Sequence, residues 1–70
     1  MHEVAIRDDV IRLGQLLKLA GIADSGTDAK ELLAEGAVRV NGEPETRRGR
    51  QLRAGDVVSA AGEDLRVVTG

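Results

Sequence analysis

The chain has 70 residues, no cysteine, no Phe, Tyr or Trp, and a formal net charge of −2 at pH 7. That composition excludes disulfides, thiolate metal sites and aromatic platforms for stacking bases. It allows at most one small domain, residues 1–70, with a core of Leu, Val, Ile and Ala.

In chain order, "EVAIR" alternates Val4 and Ile6 with polar residues, a short strand pattern, and Asp8-Asp9 marks a turn. "LGQLLKLAG" reads as a helix, with Leu13, Leu16, Leu17 and Ala20 on one face and Gly21 closing it. Gly14 weakens its first turn. "DSGTDAKELLAEG" reads as a second helix. Ser25 is its N-cap, Asp28 supports a box-like start, Ala29, Leu32 and Leu33 form the buried face, and Gly36 ends it. "VRV" is a strand followed by the hairpin signal Asn41-Gly42. Pro44 makes the returning "EPETR" an edge strand or irregular. "AGD" is a turn, and "VVSA" and "LRVV" are strands joined through "AGED". The expected fold class is α+β, two short helices packed on a small, mainly antiparallel β-sheet.

No signal-peptide pattern opens the chain, and no apolar run reaches membrane-spanning length. The expectation is a soluble, cytoplasmic monomer, complete as written, with no membrane partner. One histidine, His2, provides no Cys/His zinc cluster, and no Gly-rich loop leads into Lys-Ser/Thr. Asp8-Asp9 and Glu63-Asp64 read as turn formers rather than as an acid/base couple. No enzyme, no metal site and no cofactor are expected.

The net charge conceals a basic middle. Residues 1–29 carry three basic and five acidic side chains, residues 30–53 six and four, and residues 54–70 one and three. Within the middle third, "TRRGR" crowds Arg47, Arg48 and Arg50 beside Gly49, with Arg39 before and Arg53 behind. Guanidinium forks match phosphate oxygens in pairs, and glycine lets a backbone approach a ligand closely. The plainer alternative is an edge strand kept soluble by charge. At the second helix start, Ser25 and Gly26 leave amides reachable by an anion, and Lys30 follows on the same face; an ordinary capped helix would look the same. Lys18 is the only charge within the first helix.

"LGQLLKLAG", "SG..AKELLAEG", "VNGE", "TRRGR" and "GD", at this spacing from about Leu13 to Val58, resemble the S4-like RNA-binding domain, the αL motif. More narrowly, the chain is similar to the small stand-alone bacterial branch of that family. The resemblance implies a compact, non-catalytic α+β module that binds structured RNA, commonly ribosomal RNA or other folded RNA, and ribosomal particles are a further candidate partner. Carried onto this chain, the recognition surface would comprise Lys18, Ser25, Gly26, Lys30, Asn41, Gly42, Arg47, Arg48 and Arg50, and the basic island adds Arg39 and Arg53. Many members have Ser-Arg where this chain has Ser25-Gly26, and Thr27 replaces the second glycine common in the stand-alone branch.

Two rivals belong to other classes. A protein-interaction module could dock on a ribosomal or other assembly through the Pro44 edge and the basic loop. A ubiquitin-like sulfur carrier would share the size and "VNGE", but its chemistry needs a terminal Gly-Gly, and this chain ends in Thr69-Gly70.

Overall fold

The computed structural model describes residues 1–70. The chain runs through β1 (His2–Ile6), β2 (Ile11–Arg12), α1 (Leu13–Leu19), α2 (Gly26–Ala34), β3 (Val38–Val40), β4 (Glu43–Pro44), β5 (Gln51–Leu52), β6 (Val57–Ala60) and β7 (Glu63–Thr69). Five strands form one sheet in the order β1-β7-β6-β3-β4, and β2 pairs with β5 in a separate two-stranded ribbon. The fold is α+β, and three of the four pairings in the larger sheet are antiparallel.

Both helices have the predicted ends. In α2 the Ser25 Oγ accepts the Asp28 N–H at 3.1 Å, and the Asp28 carboxylate accepts the Asp24 N–H at 3.0 Å. This box reaches one residue further back than the usual form. Each helix closes on a glycine with positive φ, Gly21 at 77° and Gly36 at 73°. The amides that follow turn back to the last carbonyls: Gly21 to Lys18, Ile22 to Leu17, Gly36 to Leu33 and Ala37 to Leu32. This double bond pattern satisfies acceptors that a helix end would otherwise leave open.

Asn41-Gly42 makes the predicted hairpin, with φ of 51° and 85° and Val40 opposite Glu43. Two positive φ values match the twist of the flanking strands. The second hairpin is as tight. Ala60 faces Glu63 across Ala61-Gly62, and Ala61 takes a φ of 53°.

Two features lie outside the sequence reading. β1 lies parallel to β7, from His2 opposite Leu65 to Ile6 opposite Thr69, so the first and last strands run side by side. The β2–β5 ribbon, Ile11 opposite Leu52 and Arg12 opposite Gln51, joins the start of α1 to the segment after the arginines. Neither is written in local periodicity, because pairing partners distant in sequence are selected by the assembled core.

That core is a cluster of 15 buried aliphatic residues drawn from both helices, the segment between them (Ala23), β1, β3, β5, β6 and β7. Leu13, Leu16, Leu17, Ala29 and Leu33 are in it as predicted, and Leu32 packs against its margin. Leu52 is fully buried and fastens the end of the basic loop to the helices. No helix is long and apolar enough to cross a membrane.

Candidate nucleic-acid interface

The basic loop is docked on α1 by its backbone. The N-cap of α1 is Arg12, which has no side-chain acceptor to offer the free amides of the first turn. Carbonyls from the loop supply them. Arg50 O accepts the Leu13 N–H at 2.8 Å and Arg48 O accepts the Gly14 N–H at 2.9 Å. Gln15 Oε1 accepts the Arg12 N–H at a longer 3.4 Å. The arginines are therefore held against the helix start rather than on a free loop.

Glu45 sets the shape of that loop. It is the only charged residue in the buried set, at 7% exposure. Its Oε2 accepts the Thr46 and Arg47 backbone amides and Arg47 Nε, at 3.0, 3.2 and 3.3 Å. Its Oε1 accepts Arg47 Nη2 at 3.1 Å and Arg50 Nη1 at 3.0 Å. With every lone pair answered, a buried carboxylate is tolerated and stays ionised. The Arg47 guanidinium foremost, then that of Arg50, holds the carboxyl down to about 2. Asp56 is also lowered, first by the Arg53 N–H it accepts at 2.8 Å and then by the Asn41 amide.

Arg48 escapes this arrangement. Both ion pairs in the protein end on Glu45, one from Arg47 and one from Arg50. Arg48 instead lies across Gly14: a Cβ built there would sit 2.4 Å from Arg48 Cγ and 3.2 Å from Cδ. Its guanidinium extends to the start of α2, where a Cβ at Gly26 would meet Arg48 Nη1 at 3.9 Å. A cleft of about 270 Å³ opens there, lined by Arg12, Gln15, Lys18 and Arg48 and by Gly14, Gly26 and Gly49. No carboxylate and no hydrophobic side chain lines it.

The eleven residues singled out in the sequence thus separate into groups. Lys18, Gly26 and Arg48 meet in the cleft. Arg47 and Arg50 do not line it and are paired with Glu45, their side chains 74% and 32% exposed. Ser25 caps α2. The Asn41 amide bridges Asp56 Oδ1 at 3.1 Å and the Val57 N–H at 2.9 Å, and Gly42 turns the hairpin. Arg39 Nη1 donates to Gly42 O at 3.3 Å. Lys30 and Arg53 are exposed outside the cleft.

Sequence reasoning missed Arg12, Gly14, Gln15 and Glu45 as parts of this site. Arg12, Gln15 and Lys18 recur every three residues, away from the Leu13–Leu16–Leu17 face, so their shared side was legible. Gly14 carried a signal too, a glycine in a first helical turn with no conformational need for one. Nothing in the sequence marks Glu45 as buried.

A small α+β module presenting an acid-free, glycine-floored cleft of cations is the class these features define. The family model described as "S4 domain" matches residues 4–68, and the chain belongs to that family. A Bacillus subtilis (strain 168) relative described as "Probable ribosome maturation protein RlbA" is 51% identical over 61 residues, 87% of this chain and 86% of the relative. The solution structure of YbcJ from E. coli, described as revealing an αL motif involved in RNA-binding, superposes with a TM-score of 0.66. The two are 41% identical, with 97% of this chain and 85% of YbcJ covered. The 30S ribosomal protein S4e from Thermoplasma acidophilum gives a TM-score of 0.64 at 26% identity, covering 86% of this chain and 32% of S4e.

Proposed function

We propose that this protein is a non-catalytic, cytoplasmic RNA-binding protein. It recognises structured RNA, ribosomal RNA above all, through one face made of the α1 and α2 starts, the Asn41-Gly42 hairpin and the arginine loop. The observation that carries the reading is the docking of the loop on α1 through Arg48 O and Arg50 O. It fixes the arginine loop against the start of α1, which supports their acting as one surface. Membership of the S4 domain family and the likeness to YbcJ and to a ribosome maturation protein support it.

The chemistry of the face selects the mode of recognition. Without an aromatic residue there is no ring on which to stack bases. Guanidiniums, Lys18, Lys30 and polar turn atoms suit phosphates and 2′-hydroxyls of a folded or double-helical RNA. The acidic termini of the sequence oppose indiscriminate adhesion and favour one docking orientation. About four to six phosphate contacts would give a log–log salt slope of about −3 to −5.

An amide-shift titration with purified bacterial ribosomal RNA, at low and high salt, tests the reading. Shifts concentrated at residues 12–18, 25–30 and 39–53 that fade with salt are the expected result. Absence of binding to naked RNA, with retention on assembled ribosomal particles, would instead identify a protein-docking module.

A further inference from the structure

The cleft has chemistry that the basic face as a whole does not. Arg12, Lys18 and Arg48 converge on it, none of the three is in an ion pair, and no carboxylate lines it. Three cations line one small space with no carboxylate among them, a local potential that favours an anion. The two neighbouring arginines share the single Glu45 carboxylate, which leaves Arg48 as the one guanidinium of the loop outside any ion pair.

Resting on the RNA-binding reading, we propose that this cleft is the seat for one internal phosphodiester of the bound RNA, gripped between Arg48 on one side and Arg12 and Lys18 on the other. Gly14 and Gly26 are part of the seat. The Arg48 stem occupies the volume a side chain at position 14 would need, and its Nη1 lies beside the position 26 backbone. The stem thus rests on the start of α1 and the guanidinium reaches the start of α2 before RNA arrives, which reduces the ordering cost of binding. Gln15 has one oxygen on the Arg12 N–H and its amide nitrogen without a partner, a neutral donor suited to the adjoining ribose 2′-hydroxyl. Gly49 closes the rim with no side chain in the way.

The geometry also says where a replacement cation could stand. A side chain at position 26 starts beside Arg48 Nη1, so an arginine there can deliver its guanidinium to the same cleft. The test uses full-length protein, purified bacterial ribosomal RNA fragments and binding measured across a salt series. Arg48→Ala and Arg12→Ala should each weaken binding about tenfold and lower the salt slope by about one, the signature of a lost phosphate contact. Arg66→Ala, on β7 and outside the face, should stay within about twofold. Gly26→Arg in the Arg48→Ala background should restore most of the loss, which would not happen if Arg48 only held the loop together.

RNA with its terminal phosphates removed should bind equally well. Loss of binding on their removal would assign the cleft to an RNA end and overturn the backbone assignment. Wild-type binding with Arg48→Ala and Arg12→Ala unaffected, or failure of Gly26→Arg to rescue, would overturn the phosphate seat while leaving the RNA-binding reading in place. Wild-type protein that binds no RNA would overturn both.

Discussion

Arg48 lies on Gly14 so closely that a β-carbon at position 14 would come within 2.4 Å of Arg48 Cγ. The contact explains a glycine in the first turn of a short helix, where alanine would favour the helix by about 1 kcal/mol. Gly14→Ala is expected to change stability by less than about 1 kcal/mol, because the propensity gain offsets the displacement of an exposed side chain. RNA affinity should nevertheless fall several-fold, because Arg48 is pushed off the cleft. Paired thermal melts and RNA titrations separate the two effects; wild-type affinity in this variant would remove the glycine from the account.

Glu45 should prove a structural residue of the interface. Its carboxylate accepts two backbone amides and two guanidiniums, and Glu45→Ala leaves all of them without that partner. The expected result is a melting midpoint lower by several degrees together with broadened amide signals from Thr46 to Arg50. An unchanged spectrum there would mean the ribbon of Ile11–Arg12 with Gln51–Leu52 holds the loop unaided.

The same carboxylate makes stability depend on acid. Its folded pKa of about 2 lies below the ordinary value of 4.5, so it stabilises the fold fully above pH 4.5. That contribution fades as pH falls from there through about 2. Asp56, also lowered, acts with the same sign. Urea midpoints for the wild type and Glu45→Gln should therefore converge as pH drops through this window, with the Asp56 dependence left in the variant. A constant difference down to pH 2 would contradict the assignment to Glu45.

Asn41 offers a way to separate shape from contact. Its side chain holds Asp56 and the Val57 N–H, and its φ of 51° suits asparagine or glycine. Asn41→Gly keeps the turn and loses the amide bonds, at about 1 kcal/mol. Asn41→Ala also strains the backbone and should cost about 2 kcal/mol. Chemical denaturation ranks the two, and an alanine variant as stable as the glycine one would show that the turn imposes no strain.

Ala61 occupies the corresponding place in the second hairpin at a φ of 53°, without a side chain that favours it. Ala61→Asn or Ala61→Gly is expected to stabilise the protein by about 0.5–1 kcal/mol. Either a lower melting midpoint or no shift would argue that this turn relaxes differently in solution.

The elements that could be read from the residues are those in which neighbours in sequence decide the outcome. Ser25 with Asp28, the closing glycines Gly21 and Gly36, the leucine face of the first helix and the Asn41-Gly42 turn are all governed by bonds within about five residues. Their physics is present in a short peptide window. The basic cluster was equally visible, as was the resemblance it carries. The tertiary structure decided what each arginine does. It brought Arg48 over Gly14 and Gly26 and set Arg12 and Lys18 across from it. It buried Glu45 beneath Arg47 and Arg50, and laid the first strand parallel to the last. These relationships join segments far apart in the chain or depend on burial, and burial exists only once the 15-residue aliphatic core has closed. Charge alone makes the three arginines equivalent; the fold assigns two to a carboxylate and leaves one open.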